Sequence, residues 1–154
     1  MASDDDKKIT LALFTANCTI YAKEILGIEP SLADVKTQKL AEISVFDASS
    51  AVNSFTIGST SLWPDRAMRA TLMRRFEAEQ ASGLTETTLW YGTASIQLKV
   101  ANAITLLNAI EIYACQCYDV TAKHKAAVNA MTETSQVESY NYKTGYPDKL
   151  NFTL

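Results

Sequence analysis

The chain has 154 residues, of which 47% are hydrophobic and 20% are charged, and a formal net charge of -3. This is the size and composition of one ordinary globular domain, which buries its core without help from disulfides or metals. The weak negative charge gives no field that would draw the chain to nucleic acid or an anionic membrane, both of which need a concentrated positive surface, so we expect neither as a partner. Three cysteines, an odd number, favour free thiols.

Residues 9–26 combine two apolar series at helical spacing, which predicts a first helix that is apolar around most of its circumference. One series is Leu11, Phe14, Cys18, Tyr21 and Ile25, and the other is Ile9, Leu13, Ala16 and Ile20. Gly27 and Pro30 end this helix. Its polar positions and the aspartates before it argue against a signal peptide or a membrane span. A helix with so much apolar surface must be buried against other protein surface, so residues 1–30 are interpreted as a docking or oligomerisation element.

A second helix is predicted from Ser31 to about Asn53. Ser31 and Asp34 resemble a capping box with a shortened acid, and apolar residues then recur at helical spacing. The first and second helices are expected to form an antiparallel pair.

Two hairpins are predicted, because β-prone runs flank Gly58-Ser59 and Gly92-Thr93. The four strands are Ser54–Ile57, Thr60–Trp63, Thr87–Tyr91 and Ala94–Leu98, and they are expected to form one small antiparallel sheet. Between the hairpins, Pro64 and Asp65 start a third helix, with Met68 on its inward face. Trp63 and Trp90 are expected to anchor the sheet to the helices.

The longest helix is predicted from about Val100 to Met131, because apolar residues recur there at 3.6-residue spacing. A short helical turn capped by Thr134 and an aromatic tail, YNYKTGYPDKLNF, follow it. The aromatic side chains of interest are Tyr140, Tyr142, Tyr146 and Phe152. Two interpretations stay open: the tail packs onto its own chain, or these rings offer rigid contact area to a partner.

No residue pattern indicates catalysis. His124 is the only histidine, which excludes a site with two imidazoles, and it is interpreted as a boundary residue beside a core Cys117. A basic edge on the third helix is interpreted as a solvated, salt-bridged face, and it consists of Arg66, Arg69, Arg74 and Arg75. The sequence has no glycine-rich phosphate loop and no Gly-x-Ser-x-Gly motif. We therefore predict no catalytic residue, no cofactor and no metal ligand.

Five segments together resemble a tail-fibre-associated domain of unknown function found in bacteriophage genomes, in the version carried by phages of gut Bacteroides-type hosts. They are KTQKLAEISVFDASSAVNSFTI, SLWPDRAMRATLMRRFEAE, ETTLWYGTASIQL, LNAIEIYACQCYDVTAKHKAAVNAM and SYNYKTGYPDKLNF. The resemblance covers about residues 32–154. It implies a setting among virion-associated proteins and supplies no catalytic residues, because each motif is a packing or turn pattern.

Together these observations predict an α+β protein, with a first apolar helix in residues 1–30 and a phage-associated domain in residues 31–154. The expected function is that of a bacteriophage structural or virion-associated protein, located in the virion and made in the host cytoplasm. Its partners would be other virion proteins or further copies of itself. The alternatives are a tail-fibre assembly chaperone or adaptor, and a small host-directed effector or enzyme that would use His124 and Cys117. The candidate interaction residues are Leu11, Phe14, Tyr21, Ile25, Tyr140, Tyr142, Tyr146 and Phe152.

Overall fold

A computed structural model describes residues 10, 13, 14, 17, 18, 20, 21 and 24–153. Within them the fold is mixed α+β, as the sequence predicts. The helices are α1, whose described residues fall within 10–26, α2 (Leu32–Ala48), α3 (Arg66–Ala81), α4 (Val100–Ala130) and α5 (Thr134–Ser139). The strands are β1 (Phe55–Ile57), β2 (Thr60–Leu62), β3 (Glu86–Tyr91), β4 (Ala94–Lys99) and β5 (Asn151–Phe152).

The chain forms two compact units, each built from two separate stretches of sequence. The helical unit comprises Met1–Val52 and Cys117–Tyr146, and the hairpin unit comprises Asn53–Gln116 and Pro147–Leu154. Helix α4 therefore gives its first part to the hairpin unit and its second part to the helical unit. The predicted division near residue 30 stays a prediction.

Helix α2 begins at the predicted capping box and ends earlier than Asn53. The Ser31 hydroxyl accepts a hydrogen bond from the Asp34 backbone N–H at 3.2 Å, and the Asp34 carboxylate accepts one from the Ser31 N–H at 3.1 Å. At the other end, the Ser49 hydroxyl donates to the Phe46 carbonyl at 2.6 Å and accepts from the Ala51 N–H at 3.2 Å. Serine bonds of this kind compete with the helical ladder, so α2 ends at Ala48.

The core of the helical unit joins α2, α4 and α5. Its buried members are Val35, Ile43, Val128 and Val137. Lys36 Nζ donates to the Asn129 carbonyl at 2.7 Å, at the end of α4, where unpaired carbonyls favour a cation. The position before α5 is held by Glu133, which makes no side-chain cap, so the prediction that Thr134 caps this helix was wrong.

The two predicted hairpins are present, but they belong to separate sheets. Strands β3 and β4 form a two-stranded antiparallel sheet, whereas β1 pairs with β2 on one edge and with β5 on the other. The pairing with β5 is parallel, in register Thr56↔Asn151 and Ile57↔Phe152. The prediction of one antiparallel sheet was wrong, because the tail strand β5 joins β1 and β2 while β3 and β4 form a sheet of their own.

Helix α3 packs on the core of the hairpin unit and contacts β3. Asp65 caps it by accepting a hydrogen bond from the Met68 N–H at 2.7 Å, and Phe76 is buried. The Arg75 guanidinium donates to the Thr88 carbonyl at 3.2 Å and to Glu79 at 2.7 Å. Arg75 thus lies along the outer edge of β3 and satisfies one of its backbone carbonyls there.

Candidate functional site

An exposed apolar stripe runs along the described part of α1. Phe14, Tyr21 and Ile25 are 57–67% exposed, and Cys18 between them is also exposed. These positions follow one another at i, i+4, i+7 and i+11, so they share one face of the helix. Leu11, the remaining member of the predicted series, lies outside the described residues. Contiguous apolar surface of this kind is rare on a protein that acts alone.

One residue of the second apolar series of α1, Ile20, borders a groove within the helical unit, and Ile9 and Ala16 of that series lie outside the described residues. Ile20 and Glu24 line this groove together with Val35 and Lys39 of α2 and Glu138 of α5. The groove has a volume of about 210 Å³ and mixes apolar with charged side chains. Ile20 is still 40% exposed and Leu13 is 43% exposed, so the described residues of both series are open to solvent.

The aromatic tail contacts its own chain in both units. In the helical unit, the Tyr142 and Tyr146 rings pack edge-on against Phe46, with centroids 5.8 Å and 5.5 Å away. In the hairpin unit, the Phe152 ring lies 5.8 Å from the Phe55 ring. The first of the two interpretations of the tail is therefore the observed one. All four candidate tail residues keep a partly exposed surface, so their contact with a partner stays a prediction.

A chain of hydrogen bonds fixes Tyr146. The Thr121 hydroxyl donates to Asp47 Oδ1 at 2.8 Å, so it accepts the proton of the Tyr146 hydroxyl, also at 2.8 Å. Burial is the largest influence on the Tyr146 phenol and raises its pKa. Burial also raises the pKa of Tyr142, with a further contribution from the Glu42 carboxylate. Both phenols are thus held in the protonated form.

These raised pKa values predict an alkaline loss of stability in the helical unit. Because the folded state favours the protonated phenols, their contribution is fully present below pH 10.0, the ordinary tyrosine pKa, and is lost as pH rises from there through the raised values. Denaturant unfolding followed by circular dichroism should show this fall in the free energy of unfolding. Tyr146→Phe should make this fall smaller, because only the Tyr142 contribution then remains. Tyr118→Phe, at an exposed site on α4, is the matched control, and an equal flattening there would contradict the assignment.

His124 uses both ring nitrogens within the helical unit. Nε2 lies 2.9 Å from the Thr144 carbonyl and must carry the proton, since a carbonyl only accepts. In the neutral ring, Nδ1 then accepts from the Tyr140 hydroxyl at 2.7 Å. The ring therefore fastens the tail to α4. Cys117, the other residue considered for chemistry, is buried.

The hairpin unit contains an apolar pocket of about 170 Å³ that sequence reasoning missed. Its lining consists of Phe55, Leu62, Trp63, Pro64, Asp65, Met68, Leu72, Leu89, Trp90, Leu106, Leu107 and Ile110. Trp63 is the predicted anchor, since its ring packs edge-on against Phe55 and Tyr113. Trp90 is not an anchor, because 64% of it is exposed at the pocket rim, and Met68, predicted to point inward, is 52% exposed beside the same pocket.

One arginine of the predicted basic edge is buried next to this pocket. The Arg69 side chain stacks on Trp63, with Cζ 5.4 Å from the ring centroid. Its Nε donates to the Glu111 carboxylate at 2.7 Å, and a terminal nitrogen donates to the Pro64 carbonyl at 3.0 Å. The prediction of a solvated face was therefore wrong for Arg69, while the Arg75–Glu79 ion pair confirms the salt-bridged part.

No protein-family model, curated protein or solved structure matches the chain. Within residues 24–153 and the seven described positions before them, no three His, Cys, Asp or Glu side chains are grouped to hold a metal ion. In the same residues, no helix has the length and apolar character needed to cross a membrane.

Proposed function

We propose that the protein is a structural or virion-associated component of a bacteriophage and that it acts by protein–protein contact through α1. The observation that carries the proposal is the exposed stripe of Phe14, Cys18, Tyr21 and Ile25. The phage setting is supported by the five sequence segments that resemble a tail-fibre-associated domain.

The stripe has the features of a contact surface between protein subunits. Two aromatic rings and one branched aliphatic side chain stand on a single helix face, and aromatic residues are enriched where protein interfaces are fully buried. A second helix packed on this face would remove these side chains from water, each contributing roughly 1.5–3 kcal/mol when fully buried. We therefore assign α1 to contact with another subunit, either a further copy of this chain or another virion protein.

The contact is tested by the solution mass of the full chain, measured by light scattering on a sizing column. The full chain should be an oligomer, and a Tyr21→Asp/Ile25→Asp variant should have a lower mass, because two carboxylates on the stripe would be buried without partners. Tyr118→Asp, which changes an equally exposed ring on α4, is the matched control and should leave the mass unchanged. A full chain and stripe variant that are both monomers would rule out self-assembly through α1.

The virion setting is tested separately, by mass spectrometry of purified particles of the phage that encodes the chain. A structural component should be present in these particles at a fixed ratio to other virion proteins. The Tyr21→Asp/Ile25→Asp variant should be lost from them, and Tyr118→Asp should be retained. Absence of the wild-type chain from finished particles would reject the structural role and favour an assembly chaperone.

A further inference from the structure

The pocket of the hairpin unit is separate from the contact proposed for α1, which belongs to the helical unit. Its floor is formed by Leu106, Leu107 and Ile110 of α4, all of which are buried. Its volume of about 170 Å³ exceeds the roughly 150 Å³ of an engineered apolar cavity that binds benzene. The pocket therefore has room for one six-membered ring.

The chemistry of the lining selects an apolar group. Asp65 is the only charged side chain among the lining residues, and one of its carboxylate oxygens already accepts from the Met68 N–H. Sites for polar small molecules instead place several polar groups around the ligand to fix its orientation. The pocket itself offers too few polar groups to orient an apolar ring, so the orientation must come from the partner molecule to which the ring is attached.

The rim indicates that the occupant extends beyond the pocket. Trp90 and Met68 remain largely exposed beside the opening, and a free ring inside the pocket would leave both in contact with water. A polypeptide lying across the opening would cover them, and aromatic anchors in central pockets are typical of protein interfaces. The Asp65 carboxylate at the rim would attract a basic residue next to such an anchor.

We propose that this pocket is a second protein-binding site, which receives one aromatic side chain from a partner polypeptide with a lysine or arginine beside it. Because the site lies in the hairpin unit, its occupation does not depend on the stripe of α1. The protein would then have two contact surfaces of different kinds, an apolar helix face and a pocket for a single ring.

The two tryptophans of the chain, Trp63 and Trp90, both line the pocket, so tryptophan emission of the full-length protein reports its occupation directly. The probes are the blocked peptides acetyl-Lys-Phe-Lys-amide, acetyl-Glu-Phe-Glu-amide and acetyl-Lys-Ala-Lys-amide, and 4-fluorotoluene as a ring without a backbone. The lysine–phenylalanine peptide should change the emission saturably, and the alanine peptide should not. The acidic peptide should bind about two- to fivefold more weakly, as expected for one exposed ion pair.

Two variants and one control locate the binding. Met68→Asp at the rim and Leu72→Phe in the wall should each weaken binding of the phenylalanine peptide at least tenfold. Ile112→Asp changes an exposed apolar residue of the same unit that does not line the pocket, and it should keep the wild-type affinity. The unfolding midpoint of each variant shows that the unit is still folded.

Three results would overturn the proposal. The first is a linear, unsaturable response of the wild-type protein to the phenylalanine peptide. The second is an equal loss of affinity in Ile112→Asp and Met68→Asp. The third is saturable binding of 4-fluorotoluene that is as tight as that of the peptide, which would identify a site for a free aromatic molecule. None of these results bears on the solution mass of the stripe variant, so the two proposals fail independently.

Discussion

Phe55→Ala is expected to lower the free energy of unfolding of the hairpin unit by about 3–5 kcal/mol. Phe55 is buried in the central strand β1, and its ring lies 6.4 Å from Trp63 and 5.8 Å from Phe152. Truncation removes the ring against which the tail strand β5 packs. It also opens a cavity next to the apolar pocket, whose lining includes Phe55.

Denaturant unfolding followed by tryptophan emission measures this effect, because Trp63 and Trp90 both lie in the hairpin unit. Tyr118→Ala is the matched control, since it removes an aromatic ring from an exposed position on α4, and it should change the free energy by less than about 0.5 kcal/mol. A loss below about 1 kcal/mol for Phe55→Ala would contradict its place in the core.

Arg69→Ala is expected to cost about 2–3 kcal/mol, the second largest effect. The substitution removes two hydrogen bonds and the stacking on Trp63, and it leaves Glu111 without its cation. The Glu111 side chain is 48% exposed, so water can hydrate its carboxylate and the loss stays below that of a fully buried ion pair. Arg69→Lys keeps the positive charge, but an ammonium group cannot reproduce the planar guanidinium that stacks on Trp63 and donates to both Glu111 and Pro64. This variant should therefore recover only part of the stability.

The same tryptophan-monitored unfolding tests the Arg69 variants. Arg74→Ala removes an exposed arginine from the same helix and should fall within about 0.5 kcal/mol of the wild type. Glu111→Gln should cost less than Arg69→Ala, because the amide still accepts a hydrogen bond from the guanidinium. An Arg69→Ala value equal to that of Arg74→Ala would mean that the Arg69–Glu111 ion pair does not stabilise the unit.

Local signals in the sequence predicted the elements, and the pairing between distant elements is where prediction failed. Gly58 and Gly92 have φ values of 57° and 60°, which two-residue hairpin turns require, so the hairpins could be placed from the sequence. The parallel pair of β1 and β5 joins residues 95 positions apart, as in Thr56 and Asn151, and has no local signature. The single antiparallel sheet was therefore predicted in its place.

The two candidate contact surfaces, the stripe of α1 and the pocket of the hairpin unit, also differ in how far the sequence could predict them. The stripe of α1 follows from periodicity along one helix, so the sequence located it. The pocket takes its residues from three strands and two helices, and Trp90 and Met68 were assigned inward positions because large apolar residues are usually buried. A signal did exist, since Trp63 and Trp90 each stand near the end of a hairpin strand, but only the folded chain brings them to one opening.

The parallel pairing of β5 with β1 also affects how the protein is made. Thr56 and Gly58 donate backbone hydrogen bonds to the carbonyls of Leu150 and Phe152, so this edge of β1 finds its partner only after those residues have left the ribosome. Until then a nascent chain with both hairpins formed presents an open strand edge, the kind of edge that pairs with neighbouring chains. The three-stranded sheet is therefore completed only when the last residues of β5 are free to pair with β1.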